Sequence, residues 1–109
     1  GVPNKFSIMG FFSFRNNFEI LVEHPQAEVY KKFVAQIRKR GWTIAEAEQP
    51  TKLVFQSKVS LFSWPIDFGV CFEATDTNET ILVVESVSGN LDLGRSKGMI
   101  NDIINDIYN

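Results

Sequence analysis

The sequence predicts an α+β domain in which a curved antiparallel sheet is covered on one face by two helices. The hydrophobic periodicity runs strand, helix, four strands and helix along the chain, so the predicted order is β-α-β-β-β-β-α. The last four strands are joined by short turns, which makes sequence neighbours antiparallel neighbours in the sheet. Both helical segments are amphipathic, and each has an apolar stripe that a sheet face can cover.

The first strand and the first helix follow a phenylalanine-rich segment. We expect residues 1–17 to form an N-terminal arm or an extra edge strand, and residues 18–109 to form the core of a single domain. Alternating apolar residues at 18–22 predict a half-buried strand. Between residues 26 and 40 the apolar side chains recur at helical spacing, and Gly41 suits the left-handed position that follows many helices.

Strands and turns then alternate as far as a closing helix. Strands are predicted at residues 42–47, 53–59, 66–75 and 80–87, and the third of these has the clearest period of two. The closing helix carries an apolar stripe within residues 99–108 that should pack on the sheet.

Composition limits the function classes. The net charge is −2 and the pI is about 5.3, which argues against a general nucleic-acid binder, because attraction to phosphate supplies most of that affinity. A single cysteine, Cys71, rules out an internal disulfide bond and fits a reducing compartment. We therefore favour a cytoplasmic location, unless an N-terminal signal or anchor was removed, because Gly1 is either native after loss of an initiator or a tag remnant.

Three short motifs carry a family resemblance. They are Gly41-Trp42 after the first helix, Ser63-Trp64 before the central strand, and Asp92-Leu93-Gly94-Arg95-Ser96 before the last helix. In these motifs the chain resembles a group of small uncharacterised bacterial domains, with Pro65 and Leu93 departing from that group's glycine and tryptophan. The order of elements resembles the TATA-binding-protein-like fold, which the helix-grip superfamily of START-like lipid carriers and birch-pollen allergens elaborates. The resemblance implies a fold and no established activity.

No catalytic, metal or cofactor site is expected. Cys71 and His24 are the only thiol and the only imidazole, and nucleophilic catalysis would need them close together with a third group orienting the base. We interpret Cys71 as a small sheet residue and His24 as a loop residue. One histidine, one cysteine and no clustered carboxylates lack the spacing of metal ligands.

The favoured function is a non-enzymatic binding module for a small apolar or amphipathic ligand between the sheet and the last helix. Such a carrier needs a cavity of about 300 Å³ or more. The alternative is a protein-interaction or scaffolding domain with a filled core. The residues predicted to line the cavity are Phe55, Phe68, Val70, Phe72, Ile100 and Ile104.

Charged segments suggest two further contacts. The turn formed by Gly94, Arg95, Ser96 and Lys97 combines glycine, two cations and a helix N-terminus, which predicts a weak anion site. The first helix also holds five of the eleven basic residues, and it fits either an anionic lipid or an acidic partner, or simply a solvated face.

Exposed aromatic residues raise the question of surface contacts. Phe62 and Trp64 lie in a predicted turn, where they would gate a cavity, touch a membrane or plug the end of the core. The phenylalanine-rich N-terminal arm would pair with the sheet edge, or contact a second copy of the chain or a membrane surface.

Overall fold

A computed structural model describes residues 14–58, 64–89 and 94–109, and it has the predicted α+β architecture. Five antiparallel strands form one sheet in the order β1-β5-β4-β3-β2. In chain order the elements are β1 (Phe14–Val22), α1 (Gln26–Lys39), β2 (Thr43–Glu48), β3 (Lys52–Gln56), β4 (Ile66–Ala74), β5 (Thr80–Ser88) and α2 (Arg95–Tyr108).

One face of the sheet forms the core together with both helices. Alternation along β4 directs Phe68 and Val70 toward the helices, and both side chains are fully buried. Phe33 and Ile37 on α1 and Ile103 on α2 meet them with no exposed surface. The period of two in the strands and the helical period in α1 and α2 thus place their apolar side chains in one cluster.

The opposite face of the sheet is mixed in character. Cys71 and Leu21 are exposed there, Leu21 by 54%, and Arg15 forms an ion pair with Glu85 at 3.1 Å. In the part of the chain that the structure describes, neither helix covers this face, so its charged residues remain in water.

Three element boundaries differ from the sequence prediction, and one is the end of β3, which lies at Gln56 instead of residue 59. Strand β1 begins at Phe14, four residues early, and Arg15, Asn16 and Asn17 pair with β5 instead of interrupting the strand. Their polarity indicated a turn, but β1 lies at the sheet edge, where polar side chains reach water while the backbone stays paired.

The last helix also begins early. Gly94 occupies the left-handed region at φ 81° and forms the N-cap, and α2 runs from Arg95. The amide of Gly98 donates to the carbonyl of Gly94 at 3.0 Å, which places Gly98 inside the helix instead of before it. A glycine in a helix interior costs only about 1 kcal/mol relative to alanine, and packing of the apolar stripe offsets this.

Candidate functional site

The side chains predicted to line a ligand cavity are packed against other core residues. Ile104 is the exception: it is half-buried and packs at the margin of the core. The other five are at most 1% exposed and are Phe55, Phe68, Val70, Phe72 and Ile100.

Aromatic rings account for much of this filling. The rings of Phe55 and Phe68 stack with centroids 5.0 Å apart, and Trp42 covers Phe55 at 6.0 Å. On α1, the ring of Phe33 meets Phe72 edge-on at 5.5 Å. Such ring pairs stabilise a core beyond their buried area. The predicted ligand residues of β3 and β4 are therefore covered by α1 and Trp42.

An open groove lies on the flank of α1 that faces strand β2. Its volume is about 480 Å³, within the range of small-ligand and peptide pockets. Side chains of α1, the end of β2 and the following turn line it: Tyr30, Lys31, Val34, Ala35, Arg38, Ala47 and Gln49.

Small side chains explain why this groove is open. Ala47 is opposite the fully buried Leu53 in the β2–β3 register, so it lies on the helix-covered face of the sheet. Across from it, α1 presents Ala35 and the half-buried Val34. Two alanines and a valine cannot fill the space that two phenylalanines fill farther along the sheet. The helix and the strand therefore stay apart on this flank.

Strand β2 also forms one edge of the sheet. It pairs with β3 alone among the described residues, and the register shifts between Ile44 and Glu46, which marks a bulge. From Glu46 to Glu48 the pairing is regular. Alternate backbone N–H and C=O groups of this stretch point away from β3.

Charges are separated across the two faces of β2. Lys31 and Arg38 are exposed at the rim of the groove. Glu46 lies in register with Val54, on the opposite face of the sheet, and pairs with Lys52 at 3.5 Å. Glu48 is the acidic group near the Tyr30 end of the groove: burial first, and then its charge, raise the pKa of Tyr30. The rim beside α1 is thus basic.

The other flank of α1 is bonded to α2. The hydroxyl of Tyr108 donates to Glu28 Oε2 at 3.0 Å, and the rings of Tyr108 and His24 stack at 3.8 Å. Burial, the hydrogen bond to Glu28 and the charge of that carboxylate raise the pKa of Tyr108 well above its usual range. At the other end of α1, Arg40 forms an ion pair with Asp106.

Sequence reasoning placed His24 in a loop and missed this cluster. The four-residue spacing of His24 and Glu28 was a usable signal, because such spacing from the helix entry brings side chains together, and Nδ1 of His24 lies 3.3 Å from Glu28. Tyr108 is 80 residues from Glu28 along the chain, and no local pattern connects them.

The cysteine and the histidine lie on opposite faces of the sheet. Cys71 pairs with Val83 in the β4–β5 ladder and is exposed on the face away from the helices. His24 stacks on Tyr108 of α2, on the helix-covered side. The geometry therefore forms no cysteine–histidine pair. Among the described residues, no three histidine, cysteine or carboxylate side chains are grouped as metal ligands.

The predicted anion-binding residues lie in the first turn of α2. Arg95 donates to the main-chain carbonyl of Trp64 at 2.9 Å, Ser96 is buried, and Lys97 is exposed. One of the two cations is thus engaged with the neighbouring loop. Anion binding at this turn stays a prediction.

The loop aromatic that the structure describes lies on the surface. Trp64 is 61% exposed, so it does not plug the core. Phe62 and most of the N-terminal arm lie outside the described residues. Neither described helix is long and apolar enough to cross a membrane.

Comparison with known proteins supports the fold. No protein-family model and no curated protein matches this sequence. The crystal structure of Ara h 8.0201 is similar in fold, with a TM-score of 0.50 and 11% identity, and the match covers 87% of this chain and 97% of that chain. The chain therefore has the helix-grip fold of birch-pollen-allergen-like proteins, as the order of its elements predicted. The resemblance to small bacterial domains stays a prediction.

Proposed function

We propose that this chain is a non-catalytic protein-interaction domain with a filled core, and that its partner binds in the groove between α1 and β2. One observation carries the proposal. The side chains predicted to line a cavity are packed against one another, five of them at most 1% exposed, whereas a groove of about 480 Å³ is open beside a strand edge that pairs with no further described strand.

The chemistry of the groove suits a polypeptide. Val34, Ala35 and Ala47 offer a small apolar floor, and the strand edge offers backbone donors and acceptors. Lys31 and Arg38 add charge at the rim, where it contributes orientation and association rate more than affinity. Main-chain pairing plus side-chain pockets is a recurrent mode of peptide recognition.

A small apolar or amphipathic ligand between the sheet and α2 is the rival function. It requires Ile100 and the rings of β3 and β4 to separate, because these side chains now contact one another. The support for this rival is the helix-grip fold, which is a weaker argument than the filled core, since one fold hosts many functions.

Native mass spectrometry of the purified protein separates the two functions. A filled core predicts the mass of the bare chain, whereas a carrier predicts an added mass that denaturation releases. A reproducible co-purified small molecule of that kind would overturn the proposal in favour of the rival.

Peptide selection then tests the groove itself. We expect peptides selected from a random display library to lose binding to the Ala35→Phe variant, in which a ring occupies the groove. The matched variant Ala27→Phe places the same ring on the same helix, at an exposed position outside the groove, and it should keep binding. Selected peptides that bind both variants equally would show that the groove is not the site.

A further inference from the structure

We infer that the occupant of the groove is an extended acidic segment of a partner protein, which adds to β2 as a sixth strand and directs carboxylates toward Lys31 and Arg38. This inference rests on the proposed function and specifies its ligand. Three features of the described residues support it: the free strand edge, the shape of the groove, and the sign of its charge.

The strand edge sets where pairing occurs. The bulge between Ile44 and Glu46 disrupts the first part of β2, as bulges at sheet edges often do to limit unwanted pairing. The regular part, Glu46–Glu48, borders the groove through Ala47. At about 3.3 Å per residue these three residues extend over about 10 Å, so the added strand pairs along a short stretch.

The groove sets which side chains the occupant carries. Alternate side chains of an added strand lie on the helix-covered face, against α1. The central one meets Val34, Ala35 and Ala47, where an apolar group fits. The side chains two residues before and after it extend toward the two ends of the lining stripe, where Lys31 and Arg38 are exposed.

The spacing of the two cations agrees with this pattern. Lys31 and Arg38 are seven residues apart on α1, about 10 Å along the helix axis. Two side chains four residues apart on one face of a strand are separated by about 13 Å, and the flexible stems of lysine and arginine cover the difference. The expected motif is therefore acidic, any residue, apolar, any residue, acidic.

Charge favours an acidic segment over a basic or neutral one. The whole chain has a net charge of −2, yet four of its eleven basic residues are on α1 and a fifth, Arg40, is its C-cap. Glu46 faces the other side of the sheet, where it pairs with Lys52. Lys31 and Arg38 place two cations at the rim against one carboxylate, Glu48, near the Tyr30 end, so the net charge of the rim attracts an acidic strand and repels a basic one.

The test uses a synthetic peptide, acetyl-Thr-Glu-Thr-Val-Thr-Glu-Thr-amide, titrated into the labelled protein while backbone amide shifts are followed. We expect shifts confined to residues 30–38 and 43–49. Replacing both glutamates of the peptide by lysine should weaken binding at least tenfold. The double variant Lys31→Gln with Arg38→Gln should do the same.

Two controls make the result specific. The variant Lys39→Gln with Lys58→Gln removes the same charge from exposed positions outside the groove, and should bind as tightly as the wild type. Two N-methylated peptides test strand pairing: one is methylated on the two Glu residues and the Val, and the other on the Thr residues. Only one of the two sets directs its N–H groups at β2, so only one should lose binding.

The outcomes separate this inference from the function on which it rests. Equal binding of the lysine peptide, or binding of both N-methylated peptides, would overturn the acidic strand. Failure of the acidic peptide, while library-selected peptides still bind wild type and not Ala35→Phe, would overturn it and leave the interaction domain intact. If neither the acidic peptide nor any library-selected peptide shifts the amides of the groove, both proposals are wrong.

Discussion

Helix α1 has a neighbour on each flank, and the two flanks differ. On one, Tyr108 and Asp106 of α2 bond to Glu28 and Arg40 of α1. On the other, Ala47 of β2 faces small side chains across a groove of about 480 Å³. Within the described residues, no side-chain hydrogen bond or ion pair joins α1 to β2.

The difference shows how side-chain size and charge decide where a domain closes. Both flanks belong to one amphipathic helix with the same buried stripe, so the helix itself does not distinguish them. Long polar side chains of α2 form a hydrogen bond and an ion pair with side chains of α1, whereas the alanines that line the β2 flank are too short to contact the opposite element. A binding groove therefore arises where the facing residues are small.

The largest expected effect is on the closed flank, beneath the bonds between the helices. Truncation of the fully buried Ile103 to alanine should cost about 2–5 kcal/mol, through lost burial and the cavity left behind. From the apolar stripe alone, truncation of Ile104 to alanine is predicted to lower the free energy of unfolding by the same amount. Ile104 is half-buried, so Ile104→Ala should shift the urea midpoint by clearly less. Equal shifts for the two variants would contradict this packing.

Tyr108 should make the closed flank sensitive to alkaline pH. Its pKa is raised in the folded protein, so the folded state keeps a proton that the unfolded state releases. The stabilisation is fully present below the unfolded pKa of about 10 and is lost as the pH rises above it. Urea unfolding of the wild type should show this loss between neutral pH and the alkaline limit of the experiment.

Tyr108→Phe provides the matched variant. It keeps the ring that stacks on His24 and removes the hydroxyl that donates to Glu28. At neutral pH we expect a loss of about 1 kcal/mol, the usual net worth of one hydrogen bond. The free energy of unfolding of the variant should fall less at alkaline pH than that of the wild type. It should still fall to some extent, because the pKa of Tyr30 is also raised. An unchanged alkaline slope would assign the effect to another group.

The ion pair between the helices should matter less. Asp106 is 58% exposed and Arg40 is 25% exposed, and exposed pairs contribute about 0–1 kcal/mol. Asp106→Asn should therefore cost about 0.5 kcal/mol at low salt and almost nothing in molar salt. Arg40→Gln should cost more, because Arg40 also lies 5.6 Å from the ring centroid of Trp42. The reverse ranking would show that the ring contact contributes little.

The smallest expected effect is on the open flank. A phenylalanine at Ala35 would enter the groove, and one at Ala27 would lie on the exposed face of α1. The helix-propensity cost is below about 0.7 kcal/mol in the interior and smaller in the first turn, where Ala27 lies, so the two free energies of unfolding should differ by less than about 1 kcal/mol. A much larger loss for Ala35→Phe would mean that α1 and β2 are packed together and that the flank is closed.

The fold was predictable from the sequence because it depends on local periodicity. The strand at 66–74 and the stripe of α1 were visible in the spacing of their apolar residues, and the structure places them as expected. Element ends were less predictable. Polar residues at 15–17 continue β1, and glycines at 94 and 98 flank the first turn of α2, since pairing and packing override weak local preferences.

The candidate site was predictable only in part. A basic α1 was evident from the sequence, which left an anionic lipid, an acidic partner and a solvated face open. The groove was not evident, because nothing in the sequence around Ala35 or Ala47 indicates a binding site. Only the fold brings the two alanines to the same groove. Phe55 and Phe68, which were predicted to line a cavity, pack against rings of α1 and Trp42, and no local pattern in the sequence indicates these contacts.

The sequence by itself determined the order of elements, the faces that are buried and the charge carried by α1, because each depends on residues close together in the chain. The tertiary structure alone decided that Tyr108 donates a hydrogen bond to Glu28, 80 residues away in the chain, and that an open groove separates Ala47 from α1. The physical reason is that a groove or a bond between two elements depends on the volume and length of the side chains that both elements contribute. Which side chains face one another is decided only by the register of the strands and the packing of the helices.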